Sequence, residues 1–327
     1  MRRICRAIAV IIWLAVSAIA LPAQAEGEGP RRVSLGIYVN RISNIDLRQG
    51  TADFDLFVWL RSPEAEANPA ETLQLVNGVI TSQAVVTESV EDGKRYTCIK
   101  MEVTAHQIFD LADYPLDSHT LSLFFEDADA EADVVRFMPD TVNSTLGGEV
   151  RITGWLISKL ALSESTQAYK TTFGDPTLAD LEQLDYSRVR VDIPVQRSGV
   201  WLMVRLFVGL AISVMVALLA LLIKPTEVDP RFGLGVGGLF TAVASQYVIS
   251  SSIPEGGGVT LAEWMNLLGI VIIFLSITES VASLYLDTHD RGALAKRLDR
   301  ASALALSVLF FGGCVMLLMR SGVATGA

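Results

Sequence analysis

The last third of this chain carries four long apolar stretches: Leu206 to Ile223, Phe232 to Ile253, Trp264 to Thr278 (running on past Glu279 to Leu286) and Ala301 to Met319. Each is about long enough to cross a hydrocarbon core of roughly 30 Å as a helix. Lipid offers no water to backbone amides and carbonyls, so such a segment must satisfy them internally, and the helix does this within one segment. The expectation is a transmembrane domain over 199–327 with helices at 199–223, 230–253, 260–286 and 301–319. A content of 51% hydrophobic residues in 327 agrees with a membrane component.

The remainder divides in two. Met1 to Ala25 opens with Arg2, Arg3 and Arg6, continues with an apolar run from Ile8 to Leu21 and ends on Ala23-Gln24-Ala25. That is the pattern of a secretory signal peptide over 1–25, and the small-residue site argues against an uncleaved anchor. From Arg31 to Arg197 short period-two runs take over: Val33 to Val39, Thr51 to Leu60, Tyr96 to Val103, Thr120 to Phe125, Val150 to Ile157 and Val189 to Val195. Turn-rich stretches such as Ser62 to Ala70 and Asn143 to Gly148 separate them. Short strands at this spacing predict an extracellular antiparallel β-sandwich over 26–198, followed by the four-helix transmembrane domain. A cleaved signal makes the link between the third and fourth apolar stretches cytoplasmic. It holds Arg291, Lys296, Arg297 and Arg300, whereas the outer link, Pro254-Glu255-Gly256-Gly257-Gly258, has no basic residue, in keeping with the positive-inside bias.

Several functional classes are excluded. A formal net charge of −10 without a basic stripe argues against nucleic-acid partners. His106, His119 and His289 are widely spaced and no C-x-x-C or H-E-x-x-H occurs, so no metal site, cofactor or hydrolytic centre is expected. The acidic group Glu126, Asp127, Asp129, Glu131 and Asp133 lacks the glycine of a calcium loop and reads as a solvated loop. Signal cleavage removes Cys5 and leaves Cys98 in a strand-like run and Cys314 in an apolar one, which cannot pair.

The second apolar stretch is uncharged and is entered by Asp229-Pro230-Arg231. Steps of four or three residues place Asp229, Gly233, Gly237, Phe240, Ala244, Tyr247 and Ser251 on one helical face. In a ring of identical helices that face yields a carboxylate ring, a narrow region and an apolar constriction able to close by dewetting. The residue types also fit simpler roles. Asp229 with Pro230 suits a helix N-cap, Arg231 offers a charge that offsets the acid's field, and the glycines Gly233, Gly235, Gly237 and Gly238 suit close helix packing. Glu279, costly inside a membrane segment, calls for a structural partner or water contact rather than a proton relay.

Asp113-Tyr114-Pro115-Leu116-Asp117-Ser118-His119-Thr120-Leu121 resembles the Phe/Tyr-Pro-x-Asp-x-x-x-Leu loop of the pentameric ligand-gated ion channels, the superfamily that includes the Cys-loop receptors. Flanking cysteines are absent, as in its prokaryotic members. Gly36-Ile37-Tyr38 leading to Asp46, Gly154-Trp155, Arg197 and the span Asp229 to Pro254 extend the resemblance over nearly the whole mature chain. It implies a homopentamer in the bacterial inner (plasma) membrane, multi-pass, with the sandwich periplasmic or extracellular. Its partners would be permeant ions, the lipid bilayer and an unknown small-molecule agonist bound between neighbouring sandwiches. Asp46, Pro115, Asp117, Arg197 and Pro254 would couple the agonist site to the pore, either as a two-state network or as a static bridge between domains. Trp155, Tyr169 and Phe173 are the aromatic candidates for that site, with core packing the competing role for Trp155.

The expectation is therefore a pentameric ligand-gated channel, cation-conducting, with Asp229 and Gly233 governing selectivity and Phe240, Ala244 and Tyr247 the gate. A non-conducting membrane-anchored receptor or scaffold with a β-sandwich sensor is the alternative. An enzyme is not expected, because no nucleophile, base and oxyanion arrangement can be built from these residues.

Overall fold

A computed structural model describes residues 29–63, 68–178, 182–254 and 258–321. The signal peptide expected over 1–25 and the loop residues Glu255 to Gly257 lie outside the described residues.

Eleven strands come first: β1 Arg31–Asp46, β2 Thr51–Pro63, β3 Leu73–Leu75, β4 Gly78–Glu91, β5 Lys94–His106, β6 Ser118–Asp127, β7 Val135–Pro139, β8 Thr145–Leu146, β9 Trp155–Ile157, β10 Ala161–Tyr169 and β11 Leu184–Arg197. One sheet runs β4-β5-β2-β1-β7 with β8 beside β1, and the other runs β10-β11-β6-β3 with β9 beside β11. All pairs are antiparallel except β1 with β7 and β8, which are parallel. Alternation puts Leu35, Ile37, Leu56, Val58, Ile99 and Met101 of the first sheet into one buried cluster with Leu121, Leu123, Phe125, Val189, Val191 and Ile193 of the second. The expected sandwich is present.

Its detail differs from the expected strands where hydrophobic alternation is weak. β4, Gly-Val-Ile-Thr-Ser-Gln-Ala-Val-Val-Thr-Glu-Ser-Val-Glu, is exposed along nearly its whole length at a sheet edge, so no apolar face marks it. The run from Val150 to Ile157 is mostly irregular and only its last three residues form a strand. The acidic group is not a uniformly solvated loop. Glu126 and Asp127 are buried, one holding Arg188 and Tyr169, the other accepting from the Asp129 and Ala130 amides and from the Thr72 hydroxyl.

Four helices long and apolar enough to cross a membrane follow: α1 Val200–Ala220, α2 Val228–Ser250, α3 Leu261–Thr288 and α4 Gly292–Arg320. α4 starts nine positions before the expected 301 because Ala293 to Arg300 are good helix formers that carry it past the apolar span. Thr260 and Glu263 form a reciprocal capping box at the head of α3. α2 packs on α1 and α3, while α4 lies behind on α3 and, more lightly, on α1. Leu210, Val214, Ala217, Ala242, Ile272, Ile273 and Phe310 form the shared core.

Small residues let these helices close up. A Cβ on Gly269 would stand 2.4 Å from Leu210 Cδ1, and one on Gly238 would stand 2.9 Å from the Ser213 carbonyl. The rotation of α2 is further fixed by fully buried Asn266, whose amide donates to Gln246 Oε1 at 2.8 Å.

Candidate functional site

The two ends of α2 and the sandwich base above it gather most of the expected site residues. α2 begins at Val228 with Glu227 at the N-cap position and no side-chain cap, so Asp229 is not the expected cap. It lies in the first turn with Pro230, which a first turn tolerates because its missing amide has no helical partner there. The Asp229 carboxylate is exposed and favourably placed near the positive end of the helix dipole.

Along the helix a narrow buried side faces a broad exposed one, which carries Val236, Thr241, Val243 and Val248 as well as the expected stripe. Asp229, Gly233, Gly237, Phe240, Ala244, Tyr247 and Ser251 are all exposed, Phe240 and Tyr247 at 76% each. Arg231, Gly235, Gly238, Ala242 and Ile249 are buried against the neighbouring helices. The glycines divide accordingly. Added Cβ atoms on Gly235 and Gly238 would collide with Ile277 and with the Ser213 carbonyl, whereas on Gly233 and Gly237 they would meet nothing within 4 Å. Arg231 does not share the Asp229 face. It is 1% exposed and reaches back to Glu279 and Asp299, so Glu279 has a structural partner.

At the C-terminal end of α2 the β5–β6 loop docks on the helices. The Leu261 and Ala262 amides donate to the carbonyls of Ala112 and Tyr114 at 2.8 and 3.1 Å. Tyr114 packs with Ile249, Ile253 and Ala262, with Leu47, Leu202 and Phe207 around them. Pro115 presses on the head of α1, where a Cβ on Gly199 would lie 2.3 Å from the Pro115 carbonyl oxygen. Pro254 lines a cavity of about 150 Å³ with Phe109, Leu111, Ala112 and Ile253.

Asp117 and Arg197 form a bidentate pair, Nε to Oδ1 at 2.7 Å and Nη2 to Oδ2 at 3.1 Å. His119 Nε2 is 2.6 Å from Asp117 Oδ2, and since an ionised carboxylate only accepts, the proton sits on that nitrogen. Burial pushes the Asp117 carboxyl up, but hydrogen bonds from His119 and Arg197 together with the guanidinium charge outweigh it and hold the group below its ordinary range. The guanidinium also lies 4.1 Å from the Trp155 ring centre and 5.2 Å from that of Tyr114. Asp46 is not in this cluster. Its carboxylate accepts from the Arg48 and Gln49 amides and shapes its own turn, and its neighbours Leu47 and Arg48 reach the C-terminal end of α2 instead, Arg48 Nη1 standing 3.4 Å from the Ser251 carbonyl.

Trp155 therefore belongs to the base of the sandwich. Gly154, at φ +85°, turns the chain so that Trp155 pairs with Arg197 across β9 and β11. Tyr169 pairs with Leu184 at the opposite end of the 14-residue β11, about 43 Å away at roughly 3.3 Å per residue. The three aromatic candidates do not form one site. Tyr169 and Phe173 cluster with Tyr186, their ring centres 5.8 and 5.7 Å from that of Tyr169. The Tyr169 hydroxyl donates to buried Glu126 and accepts from Arg188, each at 3.0 Å. Tyr186 and Arg188 escape the sequence reading because neither charge pattern nor spacing marks them, Glu126 because its acidic run reads as a solvated loop, and His119 because a lone histidine carries no metal signal.

No family model matches the chain. It is similar to the gamma-aminobutyric acid receptor subunits rho-2 and rho-1 of Homo sapiens, at 22% identity over 210 residues and 23% over 208, covering 64% of this chain and 43% and 42% of those subunits. The rho-3 subunit of Homo sapiens is 20% identical over 240 residues, 72% of this chain and 49% of the relative. The chain thus spans less than half the length of these relatives. A β-sandwich followed by four apolar helices is the architecture that accompanies this similarity.

Proposed function

We propose that the chain is the subunit of a homopentameric ligand-gated ion channel, cation-conducting, whose pore is lined by the exposed face of α2. One observation carries the reading: the stripe from Asp229 to Ser251 runs along the middle of the broad side of α2 left unpartnered in the protomer, opposite the narrow side that packs. Around a common axis it stacks a carboxylate ring at Asp229, an open stretch at Gly233 and Gly237, and a gate at Phe240, Ala244 and Tyr247, where the bulky Phe240 and Tyr247 rings flank the small Ala244 and close by dewetting. Cation preference is supported by the exposure of Asp229 and by the withdrawal of Arg231 into the bundle. The similarity to gamma-aminobutyric acid receptor subunits supports the channel class.

The agonist site on this account lies at Tyr169, Phe173 and Tyr186, between neighbouring sandwiches. Binding there shifts the sandwich base, where Asp117, Arg197 and Pro115 press on α1 and, through Tyr114 and Pro254, on the head of α3 and the end of α2. The sandwich faces the outside or periplasm of a bacterial plasma membrane. The test is purified protein in planar bilayers, screened against small amines, amino acids and pH. Agonist-evoked unitary currents are expected. Silence with every probe, together with no resting leak from Phe240→Ala, would leave a non-conducting anchored receptor.

A further inference from the structure

Two opposite charges stand two residues apart at the inner end of α2, Asp229 and Arg231, which is about 200° around a helix. On sequence they cancel; in the fold they part. Asp229 is exposed, while the Arg231 guanidinium is enclosed by acceptors from three other elements. Its Nη2 donates to Glu279 of α3 at 3.1 Å and to Asp299 of α4, its Nε to the Ser280 hydroxyl at 3.0 Å, and its Nη1 to the Ile223 carbonyl of the α1–α2 link at 3.1 Å. Two carboxylates face one guanidinium, so the cluster presents no net positive charge to its surroundings. A guanidinium stripped of those carboxylates would not stay buried, because a lone charge inside a bundle is costly and Arg231 sits within a turn of the helix end and of water.

We propose that Glu279 and Asp299, which lie away from the stripe, set the ion preference of the pore by holding Arg231 off its axis, so that permeant ions meet Asp229 alone. They are positioning residues for selectivity, and the proposal rests on the channel reading above. Without them each subunit's arginine swings toward the aqueous mouth and offsets its own Asp229.

Unitary currents in planar bilayers with asymmetric KCl test this on wild type, Asp229→Asn, the double variant Glu279→Gln with Asp299→Asn, and the triple variant that adds Arg231→Met. The potassium-to-chloride permeability ratio is expected to fall about tenfold in the double variant and to return to within about twofold of wild type in the triple, although the cluster is then gone entirely. A merely structural cluster would not show that rescue. A conducting double variant with the wild-type ratio, or a triple variant that stays low, overturns the proposal. The triple variant, whose buried site is neutral and filled, also stands alone should the double variant fail to assemble. A rise in its cation preference would mean that Arg231 already acts on the pore in wild type, which again overturns the proposal. A wild-type protein that passes no current removes the channel reading and this inference together. Currents altered by Asp229→Asn but unaltered by the double variant remove this inference alone.

Discussion

Asp117 shows how one buried carboxylate locks the base of the sandwich, joining the β5–β6 loop to the end of β11 just ahead of α1. Its side chain is 1% exposed and filled by a bidentate arginine and a histidine, so removing Arg197 leaves an unpaired buried charge and costs about 3–5 kcal/mol. Arg197→Lys keeps the charge but loses the fork and the stacking on Trp155, and is expected to weaken coupling as well. Because the Asp117 carboxyl is held below its ordinary range, its stabilising contribution is complete above the unfolded value near about pH 4 and is lost only as pH falls through the lowered folded value. The melting-temperature gap between wild type and Asp117→Asn should therefore stay constant at neutral and mildly acidic pH and shrink below about pH 4. A gap that already closes near about pH 6 would mean that another group governs the junction. Asp229 is the contrasting case, a carboxylate with no burial to repay. Asp229→Arg is expected to weaken or reverse cation preference with little loss of stability, and unchanged reversal potentials in asymmetric salt would deny it a selectivity role.

Elements were legible wherever one periodicity ran long enough. The four helices stand out because apolar runs of this length have one solution in lipid, and β1, β2, β6 and β11 because their alternation is strong. β4 is hidden because an exposed edge strand needs no apolar face, and the start of α4 because hydropathy stops at Arg300 while helix propensity does not. Which glycines pack and which stay open is invisible in a line of letters, since Gly233 and Gly235 differ only in what the fold places opposite them. Asp46 was misplaced for a related reason: an acid beside a junction reads as a charge partner, yet its nearest donors are the amides of its own turn. Helix packing makes a separate forecast. Gly269→Val drives a side chain into Leu210 and should cost about 1–3 kcal/mol, seen as a lower melting temperature in detergent, whereas Gly237→Ala, on the open side of α2, should not destabilise the fold.

At the scale of the whole molecule, the sandwich and the helices meet through a small set of contacts: a loop docked by two backbone hydrogen bonds, a buried tyrosine against the end of α2, and a proline carbonyl tight against Gly199. Gly199→Ala should force Pro115 off α1 and uncouple agonist binding from current, leaving binding intact; loss of binding as well would mean that the sandwich itself had failed. The central claim is that copies of α2 turn the Asp229, Phe240 and Tyr247 edge toward a common aqueous axis. The most direct measurement is a structure of the purified assembly in lipid nanodiscs. The account predicts a closed homopentameric ring with Asp229, Phe240 and Tyr247 from every subunit bordering one central opening. An assembly in which that edge meets lipid, or lies sealed between subunits with no opening at the centre, would contradict it.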